Sequence, residues 1–263
     1  MRAIWSGSIG FGLVNIPVKL FSATQDSTLD LDMLDKHDHA NIRYARINQD
    51  TGKEVAWGDI VKGYKYNDEY VVLSEEDFEK VRPEKNKTIG IDQFVEQEKI
   101  DVTYYDTPYY LEPTKGGERA YVLLREALKK TGKVAIGSYV LRTKENLCLL
   151  KAEGDAILLL KIRFPEEIRS YEDLNIPKTA TIKDAELKMA TSLINQLTPK
   201  AFHMDKYKDT YDDELMKIIE MKAKGKRIPK PKFKIVKNTS KDLMEQLKAS
   251  LGESTTTKRR KAS

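Results

Sequence analysis

MRAIWSGSIGFGLVNIPVKLF, residues 1–21, is the stretch from which the fold of this 263-residue chain is predicted. Apolar side chains alternate with small or polar ones over residues 9–13, which is the period-two pattern of a β-strand. From Ile16 onward the alternation continues in the opposite phase, with Pro17 inside it. Because proline cannot donate to a sheet ladder, we expect one bent strand with a bulge or a sheet edge near Pro17.

Short strands dominate the first 165 residues of the predicted structure. Besides the opening segment, the candidates are residues 42–47, 64–73, 103–111, 133–141, 146–152 and 156–164. The run Asp-Thr-Gly-Lys at residues 50–53 is rich in turn-forming residues and predicts a hairpin there. So many short strands favour a β-barrel or a β-sandwich.

Capping residues mark the helices that the sequence predicts. Ser74 with Asp77 has the pattern of a capping box and predicts a short helix to about Val81. Residues 117–130 predict a longer helix that ends before Gly132. The apolar face of that longer helix is Tyr121, Leu124 and Leu128. Two further helices are predicted from the capping pairs Thr181 with Asp184 and Thr210 with Asp213.

Charge is distributed unevenly along the chain. The total is +5, but residues 222–263 carry 14 Lys or Arg and three acids, a net charge of +11, so the preceding 221 residues carry −6. Within that body, residues 66–112 hold 13 acids against five bases, whereas residues 115–151 hold nine bases against three acids. This pattern suits a polyanionic partner such as nucleic acid, although a run of charges can equally be a solvated surface.

The sequence also indicates the cellular compartment in which we expect the protein. No stretch has the roughly 20 consecutive apolar residues of a transmembrane helix. Glycines and serines interrupt the N-terminal segment where a secretory signal would be continuously apolar. The single cysteine, Cys148, lies in an apolar run and is expected to be a buried thiol in a reducing compartment. We therefore expect a cytoplasmic protein without a membrane partner.

Residues 1–21 also resemble the start of bacterial Ku, a family of proteins that hold broken DNA ends. The resemblance continues in order over about residues 1–225. The segments that carry it are IVKGY at 60–64, YVVL at 70–73, KGGERAY at 115–121, LLREAL at 123–128 and TGKV at 131–134, followed by Tyr207, Thr210 and Tyr211.

This resemblance implies a fold class and a division into domains. The fold is a mixed β/α one: a central β-barrel core with a DNA-encircling bridge excursion, then a C-terminal helical arm and a basic tail. We expect the barrel core over residues 1–180, with its bridge at about residues 44–66. The helical arm for dimerisation would cover residues 181–225, and residues 226–263 would form a basic linker, a short amphipathic helix and a disordered tail.

The implied function is non-enzymatic. A member of this family binds double-stranded DNA ends without sequence specificity, as a homodimeric ring, during non-homologous end joining repair of double-strand breaks. It also recruits and stimulates the multifunctional ATP-dependent DNA ligase of bacterial end joining. The protein would therefore need no cofactor and would associate with the nucleoid.

The candidate contacts for DNA are basic residues, because a protein that accepts any broken end should contact phosphate and sugar rather than base edges. They are Arg43, Arg46, Lys53, Lys62, Lys65, Lys115, Arg119, Arg125, Lys133, Arg142 and Lys144. Any one of them can instead be a solvated surface charge. The candidate dimer contacts lie on the apolar stripes of the last two predicted helices: Leu187, Ile194, Leu215, Ile218 and Ile219.

The predicted bridge is long enough to enclose DNA. If residues 44–66 run out and back as one hairpin, each limb of about 11 residues spans roughly 36 Å. Half the circumference of a duplex roughly 20 Å wide is about 31 Å, so two subunits could close a ring.

Two alternatives come from other classes of protein. In the first, the basic tail coats DNA as a chromatin-like protein does, and the body is only a scaffold. In the second, the acids between Asp26 and Asp35 hold a metal for nuclease chemistry, but no site geometry supports this.

Catalytic and metal-binding motifs are otherwise missing from the sequence. No phosphate-binding G-x-x-x-x-G-K-[ST] run and no G-x-S-x-G elbow occurs. His37 and His39 lie among acids without cysteine partners, so a solvated loop is the stronger interpretation.

The four tyrosines between residues 104 and 110 could stack single-stranded bases, but their alternation favours packing, as we also expect for Trp5 and Trp57.

Overall fold

The structure is a computed structural model, and it describes residues 1–81 and 87–227. The chain divides into two compact units, Met1–Tyr171 and Glu172–Ser263. Among the described residues, no helix is long and apolar enough to cross a membrane. The predicted amphipathic helix and disordered tail, in residues 228–263, lie outside the described residues.

The described residues of the first unit form nine strands and two α-helices. The strands are β1 Trp5–Phe11, β2 Val14–Ser22, β3 Lys62–Tyr66, β4 Glu69–Leu73, β5 Thr88–Glu96, β6 Tyr105–Pro113, β7 Lys133–Leu141, β8 Lys144–Glu153 and β9 Ala156–Ile162. The helices are α1 Glu75–Lys80 and α2 Glu118–Thr131, and short 3-10 turns occupy Trp57–Asp59, Gln97–Lys99, Val102–Tyr104 and Pro165–Glu167.

Seven of these strands form a closed barrel in the order β1-β2-β6-β9-β8-β7-β5. Neighbours around the barrel are antiparallel except at the seam, where β5 runs parallel to β1. The seam ladder is short and joins Ser8, Ile9 and Gly10 to residues 88–90. The predicted barrel is therefore confirmed.

The opening segment is a hairpin, so the expectation of one bent strand is wrong. Phe11 pairs with Val14 across a two-residue turn, and Gly12, with φ of +55°, takes the first position of that turn. A positive φ there gives the twist that a two-residue hairpin needs. Pro17 lies inside β2 opposite Ser8. In the sequence, Leu13 continues the apolar alternation, which is why a single strand was predicted. In the structure, Leu13 lies fully exposed at the turn.

Helix α2 covers one end of the barrel and closes its apolar interior. It follows the predicted residues 117–130 closely, and Tyr121, Leu124 and Leu128 are buried in the same cluster as the barrel residues. Its C-cap is Gly132, with φ of +65°. The Tyr121 hydroxyl donates to the Leu111 carbonyl at 2.7 Å and accepts from the Ile157 N–H at 2.7 Å. This hydroxyl therefore connects α2 to β6 and β9.

The barrel has two distinct ends. At the end that we call the helix end lie α2, the β1–β2 turn and the β8–β9 turn. At the opposite end, which we call the exit end, the chain leaves β2 at Ser22 and returns at Thr88 to begin β5. The β7–β8 turn also lies at the exit end, because β8 runs from it to the β8–β9 turn.

The second unit, as far as it is described, consists of two α-helices and a 3-10 turn. They are α3 Asp184–Leu197, the turn Met204–Lys206, and α4 Tyr211–Ala223. Lys183 rather than Thr181 is the N-cap of α3, so that predicted boundary was two residues early. Thr210 is the N-cap of α4, but its side chain makes no capping hydrogen bond. The predicted capping box with Asp213 is therefore wrong.

Two tyrosine hydroxyls buried in the barrel allow a matched test of this structure. Tyr139 is 1% exposed, and its hydroxyl has no hydrogen-bond partner among the described residues. Burial raises the pKa of both Tyr121 and Tyr139, so each is a neutral phenol at physiological pH.

We expect Tyr121→Phe to lower the free energy of unfolding by about 1–3 kcal/mol, because it leaves a buried carbonyl and a buried N–H without their partner. Tyr139→Phe should change it by less than about 1 kcal/mol, because no hydrogen bond is lost. Urea unfolding of the two variants measures both values. A greater loss in Tyr139→Phe than in Tyr121→Phe would contradict these assignments.

Candidate nucleic-acid interface

The predicted DNA contacts fall into three groups in the structure. Five lie in the excursion, residues 23–87, that leaves and re-enters the barrel at the exit end: Arg43, Arg46, Lys53, Lys62 and Lys65. Two lie at the exit end itself, Arg142 in the β7–β8 turn and Lys144 at the start of β8. The remaining four lie at the helix end: Lys115, Arg119, Arg125 and Lys133. The ten residues of β8 span about 33 Å, so the last two groups do not form one patch.

Within the excursion, the turn predicted at residues 50–53 is confirmed. The Val55 N–H donates to the Arg46 carbonyl at 2.7 Å, and the Asn48 N–H donates to the Lys53 carbonyl at 2.8 Å. The Asn48 side-chain oxygen also accepts from the N–H groups of residues 50 and 51, at 3.0 Å each. This network presents Lys53 at the tip of a small hairpin.

The excursion is not the single out-and-back hairpin that the sequence predicted. Residues 42–47 form no strand and contribute only an isolated bridge between Ile47 and Glu54. β3 pairs with β4 instead of with residues 44–48. The turn between β3 and β4 is Asn67-Asp68, with φ of +48° and +68°, the conformation of a type I′ hairpin. The predicted strand 64–73 is therefore two strands, β3 and β4. Asn67 is the residue in the sequence that indicates the turn between them.

Two of the predicted DNA-contacting residues lie over the aromatic rings of neighbouring side chains. The Arg46 guanidinium lies 4.3 Å from the ring centroid of Trp57, and the Lys62 ammonium lies 4.6 Å from that of Phe78. Trp57 is 73% exposed, so its assignment to core packing is wrong. A guanidinium that stacks on an aromatic ring keeps its edge N–H groups free for phosphate. Trp57 therefore holds Arg46 in one orientation at the surface.

Two more of the predicted cations have acidic partners. Lys65 pairs with Asp68 at 3.0 Å, in an exposed ion pair. The Arg125 side chain is only 17% exposed and donates to the Asp155 carbonyl and to Glu126, each at 2.8 Å. These bonds join α2 to the β8–β9 turn, which favours a structural role for Arg125.

The other candidates are exposed and have no ion-pair partner among the residues that the structure describes: Arg43, Lys53, Lys115, Arg119, Lys133, Arg142 and Lys144. Arg142 has φ of +61° and stands at the tip of its turn. At the exit end, Arg142 and Lys144 lie beside the base of the excursion.

Two cations that the sequence analysis missed also lie toward the exit end. Lys161 in β9 pairs with Asp106 at 3.1 Å, and Arg163 lies 3.8 Å from the same carboxylate. Burial raises the pKa of Asp106, but hydrogen bonds from Lys161 and Thr107 and the nearby Arg163 charge outweigh it, so the net pKa lies below its usual value. No sequence signal pairs these residues, because β6 and β9 are distant in the chain.

The remaining candidates for chemistry are not assembled into sites. Within the described ranges, no three His, Cys, Asp or Glu side chains cluster closely enough to hold a metal ion. Asp35 and Asp38 accept backbone N–H groups of their own turn. Of the four tyrosines, Tyr104, Tyr105 and Tyr109 pack against the core, as predicted, whereas Tyr110 is 40% exposed.

Comparison with known proteins identifies the family. The model of the Ku70/Ku80 beta-barrel domain matches residues 10–189. The non-homologous end joining protein Ku of Cupriavidus necator is 41% identical over 270 residues, which cover 96% of this chain and 78% of that relative. Those of Coxiella burnetii and Archaeoglobus fulgidus are 38% and 40% identical, and the matches cover 98% and 95% of this chain and 97% and 98% of those relatives.

The chain therefore belongs to the Ku family, and the resemblance of its opening segment is confirmed. The barrel that the family model describes is the closed seven-stranded barrel of the first unit.

Proposed function

We propose that two copies of this chain form a ring that binds double-stranded DNA ends, without sequence specificity, for non-homologous end joining. The observation that carries this proposal is the excursion of residues 23–87. Both of its ends are fixed at one end of a closed barrel, and it presents exposed cations. The names of the relatives support the repair pathway.

The apolar surface of the excursion supports an assembly of two chains. Tyr64, Tyr66, Tyr70 and Val72 of the β3–β4 hairpin are each at least 60% exposed. An isolated two-stranded hairpin is marginally stable in water. Contact with a second chain and with DNA would cover these side chains.

The helical arm supports dimerisation in the same way. None of the described residues of α3 or α4 is buried, although both helices carry apolar stripes. Leu187 and Ile194 are 58% and 64% exposed, and Ile219 is 38% exposed, while Leu215 and Ile218 are half-buried. Two helices with exposed apolar stripes need a partner surface. We assign that surface to the second subunit.

The role in the cell follows from the same proposal. The protein catalyses no step itself and requires no cofactor. It acts in the cytoplasm on the nucleoid, and it recruits and stimulates an ATP-dependent multifunctional DNA ligase through its C-terminal region. The ring would contact sugar and phosphate, which all DNA ends share.

The distribution of cations predicts which end of the barrel contacts DNA. We expect Arg142→Glu with Lys144→Glu to weaken duplex binding at least tenfold, because both side chains are exposed beside the base of the excursion. If each contacts one phosphate, a ring of two copies loses four contacts, and the log–log salt slope should also fall by about 3.6. Fluorescence anisotropy on a 30-base-pair duplex, over a series of salt concentrations, measures both effects.

The matched control for this pair is Lys115→Glu with Arg119→Glu, which makes the same charge change at the helix end. It should leave affinity within about threefold, because long-range electrostatic effects are screened beyond a Debye length of about 8 Å at physiological salt. Greater loss in the control than in the exit-end pair would place the DNA at the helix end instead.

The basic C-terminal segment supports a second candidate function, a DNA coater that binds through its tail. Residues 222–263 carry a net charge of +11, which favours non-specific attraction to DNA. We expect deletion of residues 228–263 to weaken duplex binding only modestly, because a closed ring holds DNA through the barrel and the excursion. Affinity that disappears with the tail, while the protein stays folded and dimeric, would establish the coater instead.

A further inference from the structure

An apolar groove lies at the helix end of the barrel, and its lining residues lie outside the excursion and the helical arm. It runs between α2 and the barrel rim, with a volume of about 510 Å³. Its floor comes from both sides: Phe11, Val14 and Phe94 from the barrel, and Ala120, Leu123, Leu124, Ala127 and Leu128 from α2. The Phe11 and Phe94 rings meet edge to face, with centroids 6.1 Å apart.

Leu124 and Leu128 form the buried floor of this groove, whereas Val14, Phe94 and Leu123 along it are exposed. Leu123 is 71% exposed and Leu13, in the adjacent β1–β2 turn, is fully exposed. The residues of α2 that line the groove run from Ala120 to Thr131, which is about 17 Å, or three turns of helix. Exposed apolar patches with a polar rim commonly mark protein interaction sites.

The rim of the groove is basic. Lys133 lines it directly. Arg119 precedes Leu123 by one helical turn, and Lys130 follows Leu123 by two turns, so both lie along the outer edge of the groove. None of these three cations has an ion-pair partner among the described residues.

Three acids that adjoin these cations have partners of their own. Glu96 lies opposite Lys133 in the β5–β7 ladder but pairs with Lys99 at 3.3 Å. Glu126 pairs with Arg125 and Lys129, and the Glu118 carboxylate accepts the Gly116 N–H. The rim therefore keeps positive charge available for a partner.

We propose that this groove binds an amphipathic helix of a partner protein, which carries apolar side chains on one face and acidic residues beside them. A helix of about three turns matches the length of the groove, and apolar side chains at i, i+3 or i+4, and i+7 would fill it. Glutamates or aspartates beside them would meet Arg119, Lys130 and Lys133.

Charge and polarity select this occupant over two others. DNA would set phosphates against an apolar floor that offers them no hydrogen bonds, at a desolvation cost. A basic helix would meet three cations of like charge. This proposal does not depend on the proposed ring, because no groove residue belongs to the excursion or to the helical arm.

A library of random 14-residue peptides displayed on phage, selected against the full-length protein, tests the proposal. We expect enrichment of peptides with apolar residues at helical spacing and an excess of Asp and Glu. Synthetic copies of the enriched peptides should lose at least tenfold in affinity for Leu123→Glu and for Arg119→Glu with Lys133→Glu. Leu123 is exposed, so the variant should unfold at the temperature of the parent.

Val102→Glu is the matched control, because Val102 is 78% exposed and precedes β6 at the opposite end of the barrel. It should bind the peptides as the parent does. No enrichment, enrichment of basic peptides, or peptide binding that Leu123→Glu leaves unchanged would overturn the proposal.

Two further outcomes would assign the groove to another occupant and also overturn the proposal. Displacement of the peptides by a 30-base-pair duplex, with weaker DNA binding by Leu123→Glu, would assign it to DNA. A change in the solution mass of Leu123→Glu would assign it to a second copy of this chain. Failure of the ring itself would appear separately, as DNA binding that needs no free end, with the peptide results unaffected.

Discussion

Residues 8–10 of β1 pair with residues 88–90 of β5, and this three-residue parallel ladder closes the barrel. The Ser8 N–H extends it by donating to the Lys87 carbonyl at 2.8 Å. β2 and β5 are the two neighbours of β1 in the barrel and run in opposite directions, so the connection between them begins and ends at the same end of the barrel. Residues 23–87 are that connection: β2, paired with β1 and β6, fixes the end at which the excursion leaves the barrel, and the seam fixes the end at which it returns. Gly137 permits the neighbouring pairing of β7 with β5, because a Cβ there would lie 1.9 Å from the Gly90 carbonyl oxygen.

Closure also makes the two ends of the barrel chemically different. The exit end carries the base of the excursion together with the exposed side chains of Arg142 and Lys144. The helix end is covered by α2, whose Tyr121 hydroxyl and Arg125 guanidinium attach it to the strands. The other face of α2 leaves an apolar groove with a basic rim. DNA binding at one end and partner binding at the other would not compete for surface.

The sequence predicted the local elements of this fold better than their partners. Residues 133–141 were predicted with the observed bounds, and the apolar face of α2 was predicted as observed because it follows one helical period. β5 was missed, because a bulge between Ile91 and Gln93 shifts its alternation. Basic residues are concentrated over 115–151 in the sequence, yet in the structure they lie at opposite ends of the barrel, because β8 runs from the exit end to the helix end. Such separation depends on long-range strand register, which local patterns do not encode.

DNA can thread through a closed protein ring only from a free DNA end. The most direct measurement compares binding of the full-length protein to one duplex sequence as a linear fragment and as a covalently closed circle, at the same salt concentration. A ring that threads onto DNA should bind the linear form strongly and the circle little. Equal affinity for the two forms would contradict threading, because a protein that binds along the surface of DNA needs no end.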